Sequence, residues 1–215
     1  MADMTTGRRY GERTAAERHA SRRARLVEAA LDAFGTRGYA ETSIGELCAE
    51  AGVSTRNFYE HFDSREALLV ALHDEINAAA LTAVAAAIAT VDPDDLAARA
   101  HAGVRAYLET MTGDRRKARI TLVESVGVSR DAERHRQEAI GRFAGLIELE
   151  AARLADAGRL PRRDFRLTVI ALVGAINGLV NTWAADPQWD AHVDDVATEA
   201  AELIVAGLAR VPPRG

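Results

Sequence analysis

The 215-residue sequence predicts an all-α protein of about nine helices, and three observations carry that reading. Ala occurs 44 times and Pro only 5 times. Ala loses no side-chain entropy in a helix, whereas Pro breaks one. Apolar residues recur at spacings of three and four, and no apolar–polar alternation persists as a strand would need. Hydrophobic residues make up 48% of the chain and charged residues 27%, a balance that supports a buried core and excludes wholesale disorder.

The helices can be justified in order. Thr14-Ala-Ala-Glu17 has the spacing of a capping box, in which hydroxyl and carboxylate satisfy free backbone N–H groups. Val27, Ala30, Leu31 and Phe34 follow on one face, and Gly35 and Gly38 are read as the exit. Ser43-Ile-Gly-Glu46 is a second capping box, opening a short helix with Ile44, Leu47 and Ala51 on one side. Gly52 ends it, because the tight turn needs a residue that tolerates positive φ. Ser54 caps a third short helix, expected over 55–61. Arg65 begins a stretch that runs to about residue 90.

Beyond it, Asp92-Pro93 reads as an N-cap followed by Pro at the first helical position. Gly113 and Asp114 separate two helices. Ser129 caps a helix reaching about Ala157, stopped by Gly158 and Pro161. Asp164 opens a helix to about Ala185, and Asp186-Pro187 breaks it. The last helix carries Val193, Val196, Ala197, Ala200, Leu203, Ile204, Gly207 and Leu208 as a stripe. The domain division expected is a flexible Arg-rich arm at 1–18, a three-helix unit at 19–64 and a larger helical body at 65–211.

Net charge is −5, but it is unevenly spread: residues 1–25 hold seven Arg against three acids. Arg8, Arg9 and Arg13 could meet a groove or backbone of nucleic acid, or could simply be solvated. Cys48 is the only cysteine, so an internal disulfide is impossible and a reducing compartment fits. It is expected to be a small buried side chain beside Leu47. The N-terminus has no apolar run of the secretory kind, and a cytoplasmic location is expected. The uncharged stretch 167–185 is long enough to span a bilayer, but Asn177 and Asn181 near its middle disfavour lipid. A helix buried in a core or a subunit interface is expected instead, with no membrane partner.

Helix, short helix, Gly turn, short helix is the layout of a helix-turn-helix. Phe58 and Phe62 are four apart and anchor the third helix inward with Val53. That turns Thr55, Arg56, Asn57 and Tyr59 outward. Arg and Asn form bidentate pairs with guanine and adenine edges. Tyr59, His61, Thr42 and Ser43 suit phosphate oxygens, and Arg65 stands at the next helix start for the same task.

Residues 25–69, RLVEAALDAFGTRGYAETSIGELCAEAGVSTRNFYEHFDSREALL, resemble the DNA-binding domain of TetR-type transcriptional regulators. The matching features are Ala30, Phe34, Gly38, Tyr39, Thr42-Ser43-Ile44, Ala51-Gly52-Val53-Ser54, Phe58-Tyr59, His61-Phe62 and Glu66-Leu68. Leu172-Val-Gly-Ala-Ile-Asn-Gly-Leu179 is similar to that family's eighth helix. Cys48 departs from the Ala frequent there, and Arg65 from the Lys.

The resemblance implies an all-helical homodimeric repressor, bound to an inverted repeat of double-stranded DNA and released by a small-molecule effector, with no cofactor. It implies base contacts from Thr55, Arg56 and Asn57. Phosphate contacts would come from Thr42, Ser43, Ser54, Tyr59, His61 and Arg65. The candidates for the effector site are His101, Tyr107, Met111, Glu124, Phe143, Asn177 and Trp183. Those for the dimer interface are Ala171, Gly174, Ala175, Gly178, Val196, Ala200, Leu203, Ile204 and Gly207. A helical small-molecule-binding protein with no role on DNA is the alternative. An enzyme is not expected, since no phosphate loop, dinucleotide fingerprint, nucleophile elbow or paired metal motif is present, and no metal site is expected.

Overall fold

The computed structural model describes residues 14–185 and 192–211. Arg8, Arg9, Arg13 and the Asp186-Pro187 break lie outside the described residues. The helices are α1 (Ala15–Thr36), α2 (Ile44–Ala51), α3 (Thr55–Tyr59), α4 (Arg65–Ala89), α5 (Leu96–Thr112), α6 (Arg115–Arg119), α7 (Arg130–Asp156), α8 (Arg166–Ala185) and α9 (Val193–Ala209). A single π-turn, Ile120–Glu124, continues α6. No strand occurs among the described residues.

Local chemistry sets the boundaries of the first domain. Both capping boxes are formed: Thr14 with Glu17 at the start of α1, and Ser43 with Glu46 at the start of α2. Gly52 ends α2 at φ 59°, the left-handed conformation that a Cβ disfavours. Ser54, Ser64 and Ser129 each accept a backbone N–H as N-caps of α3, α4 and α7. Ser129 also donates to Glu66 of α4, which ties the start of α7 to the base of the long helix.

Four expectations shift. Residues 15–18, assigned to the arm, are the first turn of α1, because the Thr14 cap starts the helix before them. α3 ends at Tyr59 rather than residue 61. Asp92-Pro93 does not open a helix. Asp92 instead turns the chain by accepting from the Asp94 N–H, and Asp95 is the N-cap of α5. Gly35 is not an exit residue. It is buried inside α1, where an added Cβ would stand 2.4 Å from the Cβ of Arg116 on α6.

The core is continuous. Leu26, Ala30 and Phe34 of α1 meet Leu47 of α2, Phe58 of α3 and Leu68 and Leu69 of α4. The same α4 carries Leu72, Ile76, Ala80 and Val84 into the larger body, where they join Val104, Leu108 and Met111 of α5. α4 is therefore a spine common to both domains. α3, at five residues, is too short to be helical alone. Burial of Phe58, worth roughly 1.5–3 kcal/mol, holds it in place together with Val53 and Phe62.

Two helices, α4 and α8, are long and apolar enough to cross a bilayer. In α8 only 22% of the apolar window is buried, so its uncharged surface is mostly uncovered in the single chain. Leu167 and Ile170 stand exposed on that side, with Ala171, Gly174, Ala175 and Gly178 beside them.

Candidate nucleic-acid interface and ligand cavity

The outward side of α3 presents Thr55, Arg56 and Tyr59, all exposed. Arg56 is 91% exposed, held only by a loose 3.9 Å pairing with Glu60 one turn on. Tyr59 packs its edge on the buried Phe58 ring, at 5.4 Å between centroids, and leaves its hydroxyl outside. Asn57 is half-buried, and its N–H closes the Ser54 cap. The three residues expected at bases thus lie on one short helix, with the Arg56 side chain almost wholly in solvent.

The residues expected at phosphates divide into two groups. Ser43 and Ser54 are exposed at the starts of α2 and α3, but their hydroxyls already work as caps. The Ser43 hydrogen bonds hold the Glu46 carboxyl below its ordinary value. Thr42 is buried, and its hydroxyl donates to the carbonyl of Gly38 at 2.8 Å, so it serves the α1–α2 turn and not a phosphate. Arg65 donates to the Thr42 carbonyl and lies over the Tyr39 ring at 4.2 Å, so it bolts α4 to that same turn. His61 faces His19, with ring centroids 4.0 Å apart, and both its ring nitrogens are buried without a hydrogen-bond partner among the described residues. Desolvation is the first cause that lowers its pKa, with the charges of His19 and Arg22 adding to it. Thr42 and Arg65 share a cause: a polar side chain next to a tight turn is first used to satisfy the turn, whereas His61 is packed on His19.

The larger body holds a cavity, partly open to solvent, between α4, α5, α7, α8 and α9. Its wall is apolar apart from two polar points. One is the Arg99–Glu150 ion pair at 2.7 Å, and the other is Tyr107, which donates to Asn177 Oδ1 at 2.7 Å. Tyr107, Phe143 and Asn177 were expected at an effector site, and all three line this cavity. The Tyr107 and Phe143 rings meet edge to face at 5.2 Å. Burial of the Tyr107 phenol pushes its pKa well up, so the hydroxyl stays a neutral donor.

The other four candidates lie elsewhere. His101 is half-buried on α5 and does not line the cavity. Met111 is fully buried core, with the Thr121 hydroxyl on its sulfur. Trp183 borders a small separate cleft and carries Arg115 over its ring at 4.2 Å. Glu124 is drawn away from the cavity. It accepts the Tyr39 N–H at 2.7 Å and Arg119 Nε at 2.8 Å, while Arg119 Nη1 donates to the Thr36 carbonyl at 2.7 Å. The π-turn therefore clasps the α1–α2 turn of the first domain. Arg99, Glu150 and Gly103 also line the cavity and are not among the residues expected from sequence.

The dimer candidates also divide. Ala171, Gly174, Ala175 and Gly178 are exposed, and an added Cβ at Gly174 or Gly178 would meet nothing within 4 Å. Leu203 is exposed on α9. Ala200 and Ile204 instead face inward, Ile204 into the cavity wall, because the α9 stripe packs on α5 of its own chain. Val196 borders the small cleft, and Gly207 lets α9 approach Thr168 and Leu172 of α8.

Comparisons with known proteins agree with this architecture. Residues 26–72 match the family model for bacterial regulatory proteins of the tetR family. The regulator TtgR of Pseudomonas putida is 26% identical over 171 residues, which are 77% of this chain and 81% of that protein. The uncharacterised regulator YerO of Bacillus subtilis is 41% identical over 46 residues, 21% of this chain and 16% of that one. Among solved structures, the regulator FadR of Bacillus subtilis, in complex with stearoyl-CoA, superposes with a TM-score of 0.77 at 18% identity. It covers 86% of this chain and 98% of its own. A tetR-family regulatory protein of Rhodococcus RHA1 gives a TM-score of 0.69 at 23% identity, covering 89% and 98%. Such identities speak for the fold. Residues 26–72 thus carry the DNA-binding segment of the tetR family of bacterial regulatory proteins, and the helical body behind it has the fold of the solved regulators.

Proposed function

We propose that this protein is a dimeric, cytoplasmic transcriptional repressor that binds an inverted-repeat operator and releases it when a small apolar effector enters the cavity. The observation that carries the reading is the sharing of α4: its first half packs on α1 in the core of the reading domain, and its last turns, at Val84 and Ile88, line the cavity. A ligand that prefers one placement of α4 necessarily biases the other end of the same helix.

Three further observations support it. Arg56 and Tyr59 stand on the exposed side of a capped helix, where a major groove can receive them. The clasp of Glu124 on Tyr39 offers a second mechanical link between the body and the reading domain. The uncovered α8 surface, small-sided at Gly174 and Gly178, suits close approach of the same surface from a second copy. Such a dimer would set two α3 helices about 34–36 Å apart, one turn of DNA.

Selection of bound duplexes from a random library tests the proposal. Recovery of an inverted repeat is expected. Recovery of no enriched sequence, with or without cell extract, would favour a binding protein with no role on DNA.

A further inference from the structure

The charged groups on the cavity wall are already spent on each other. Arg99 Nε and Nη2 both donate to Glu150 Oε2, at 3.0 and 2.7 Å. Arg99 Nη1 donates to the carbonyls of Ile88 and Val91, at 2.9 and 3.2 Å, closing the end of α4. Glu150 has Arg153 as a second cation at 3.4 Å. A ligand carboxylate could reach Arg99 Nε and Nη2 only by displacing Glu150 from that pair, exchanging one partly buried ion pair for another at the cost of desolvating the incoming charge.

The other polar point is differently placed. Arg99 and Tyr107 are eight residues apart on α5, a separation of about 12 Å along the helix. Between them the α5 side of the wall is Ala100, Gly103 and Val104, an uninterrupted apolar stretch with Ile88 and Val84 of α4 packed against Gly103. At the far end the Tyr107 hydroxyl is committed to Asn177 Oδ1, which fixes the amide. Asn177 Nδ2 then has no hydrogen-bond partner among the described residues. An amide N–H on an apolar wall is a donor that a ligand oxygen can satisfy.

We infer that the effector site takes an uncharged, chain-like apolar compound with a neutral carbonyl, such as an ester, seated against Asn177 Nδ2, and that it discriminates against the corresponding free carboxylate. This rests on the reading of the cavity as the effector site.

The test uses the full chain and N-phenyl-1-naphthylamine, a neutral probe that fluoresces in apolar surroundings, displaced by methyl laurate or by laurate at neutral pH. Methyl laurate is expected to half-displace the probe at a concentration about tenfold lower than laurate does, a difference of about 1.4 kcal/mol. Asn177→Leu is expected to remove that preference, read as the ratio of the two half-displacement concentrations against the variant's own probe titration. Tyr107→Phe, which deletes a single oxygen and is the safer variant for folding, is expected to reduce it in the same direction.

Displacement by laurate equal to that by the ester would overturn the inference, as would an unchanged preference in both variants. Absence of probe binding together with no rise in melting temperature on adding methyl laurate would also overturn it. If the ester binds with the stated preference but leaves binding to the selected operator unchanged, the cavity chemistry stands and the effector role fails.

Discussion

Arg56 and Tyr59 are more lightly engaged than their neighbours: Arg56 has a loose pairing with Glu60, and Tyr59 stands exposed beside the Phe58 ring. Thr42 and Arg65 close a turn, Ser43 and Ser54 cap helices, and His61 is packed on His19. Replacing Arg56 by Ala is expected to cost about 1–3 kcal/mol on the preferred operator and to relax selection at one position of each half-site. Selection from a random library with the variant reads both effects; an even loss over all sequences would instead make Arg56 a phosphate contact. Ser43→Ala removes the hydroxyl half of the second capping box and is expected to lower stability by about 1 kcal/mol, measured by urea unfolding.

Two imidazoles govern the acid side of the stability curve. His73, buried beside Asp74 and Asn77 and near His135 and Arg142, has its pKa lowered from 6.5, first by desolvation. His61 is lowered in the same direction and by the same leading cause. Groups lowered in the fold take up protons more readily in the unfolded chain. Their contribution is therefore whole above 6.5, the ordinary imidazole value, and is lost as pH falls below it. Melting temperature is expected to fall between about pH 7 and pH 5, and less steeply in His73→Leu.

Helices were legible from their ends and less so from their faces. The boxes at Thr14 and Ser43 and the turn at Gly52 could be read because a cap needs a fixed residue at a fixed offset. The stripe of α9 was equally plain, but periodicity says only that a side is covered, not by what. Ala200 and Ile204 turned out to be covered by α5 of the same chain, while neighbouring Leu203 is exposed. In α8 the small side chains lie on the outside, with open space at the Cβ positions of Gly174 and Gly178. Gly178→Leu fits that space in the single chain, so helicity should be retained by circular dichroism. In the proposed dimer it would hold the two α8 helices apart, and sedimentation is expected to show a shift towards monomer. A variant that remains fully dimeric would move the interface off this surface.

The assembled molecule has two routes by which its halves meet: the spine of α4 and the α6–π-turn clasp. At the second, Gly35 admits the Arg116 stem and Glu124 holds the Tyr39 N–H. Neither route could be read from sequence. Glu124 and Tyr39 are 85 positions apart, and a carboxylate in a helical body looks the same whether it faces a ligand or a neighbouring domain. The cavity was legible only where an unusual residue marked it: Asn177 stood out in an apolar run, whereas Arg99 and Glu150 looked like ordinary surface charges. Glu124→Gln keeps the shape of the clasp but removes its charge. Methyl laurate is expected to bind the variant as it binds the parent, while the ratio of operator Kd with and without it shrinks. Coupling energies of this kind are typically about 1–3 kcal/mol, so a five-fold or greater loss of the ratio is about what a broken link should give.

The burial of Cys48 behind α2 makes the chain its own stopwatch. It is the single thiol in the sequence and only 5% exposed, so a thiol reagent can reach it only when the reading domain transiently opens. Under conditions where reclosing outruns the reagent, the labelling rate reports the free energy of that opening. The slowing on operator DNA then reports how firmly the bound state holds the motif shut, with no dye, tag or substitution introduced.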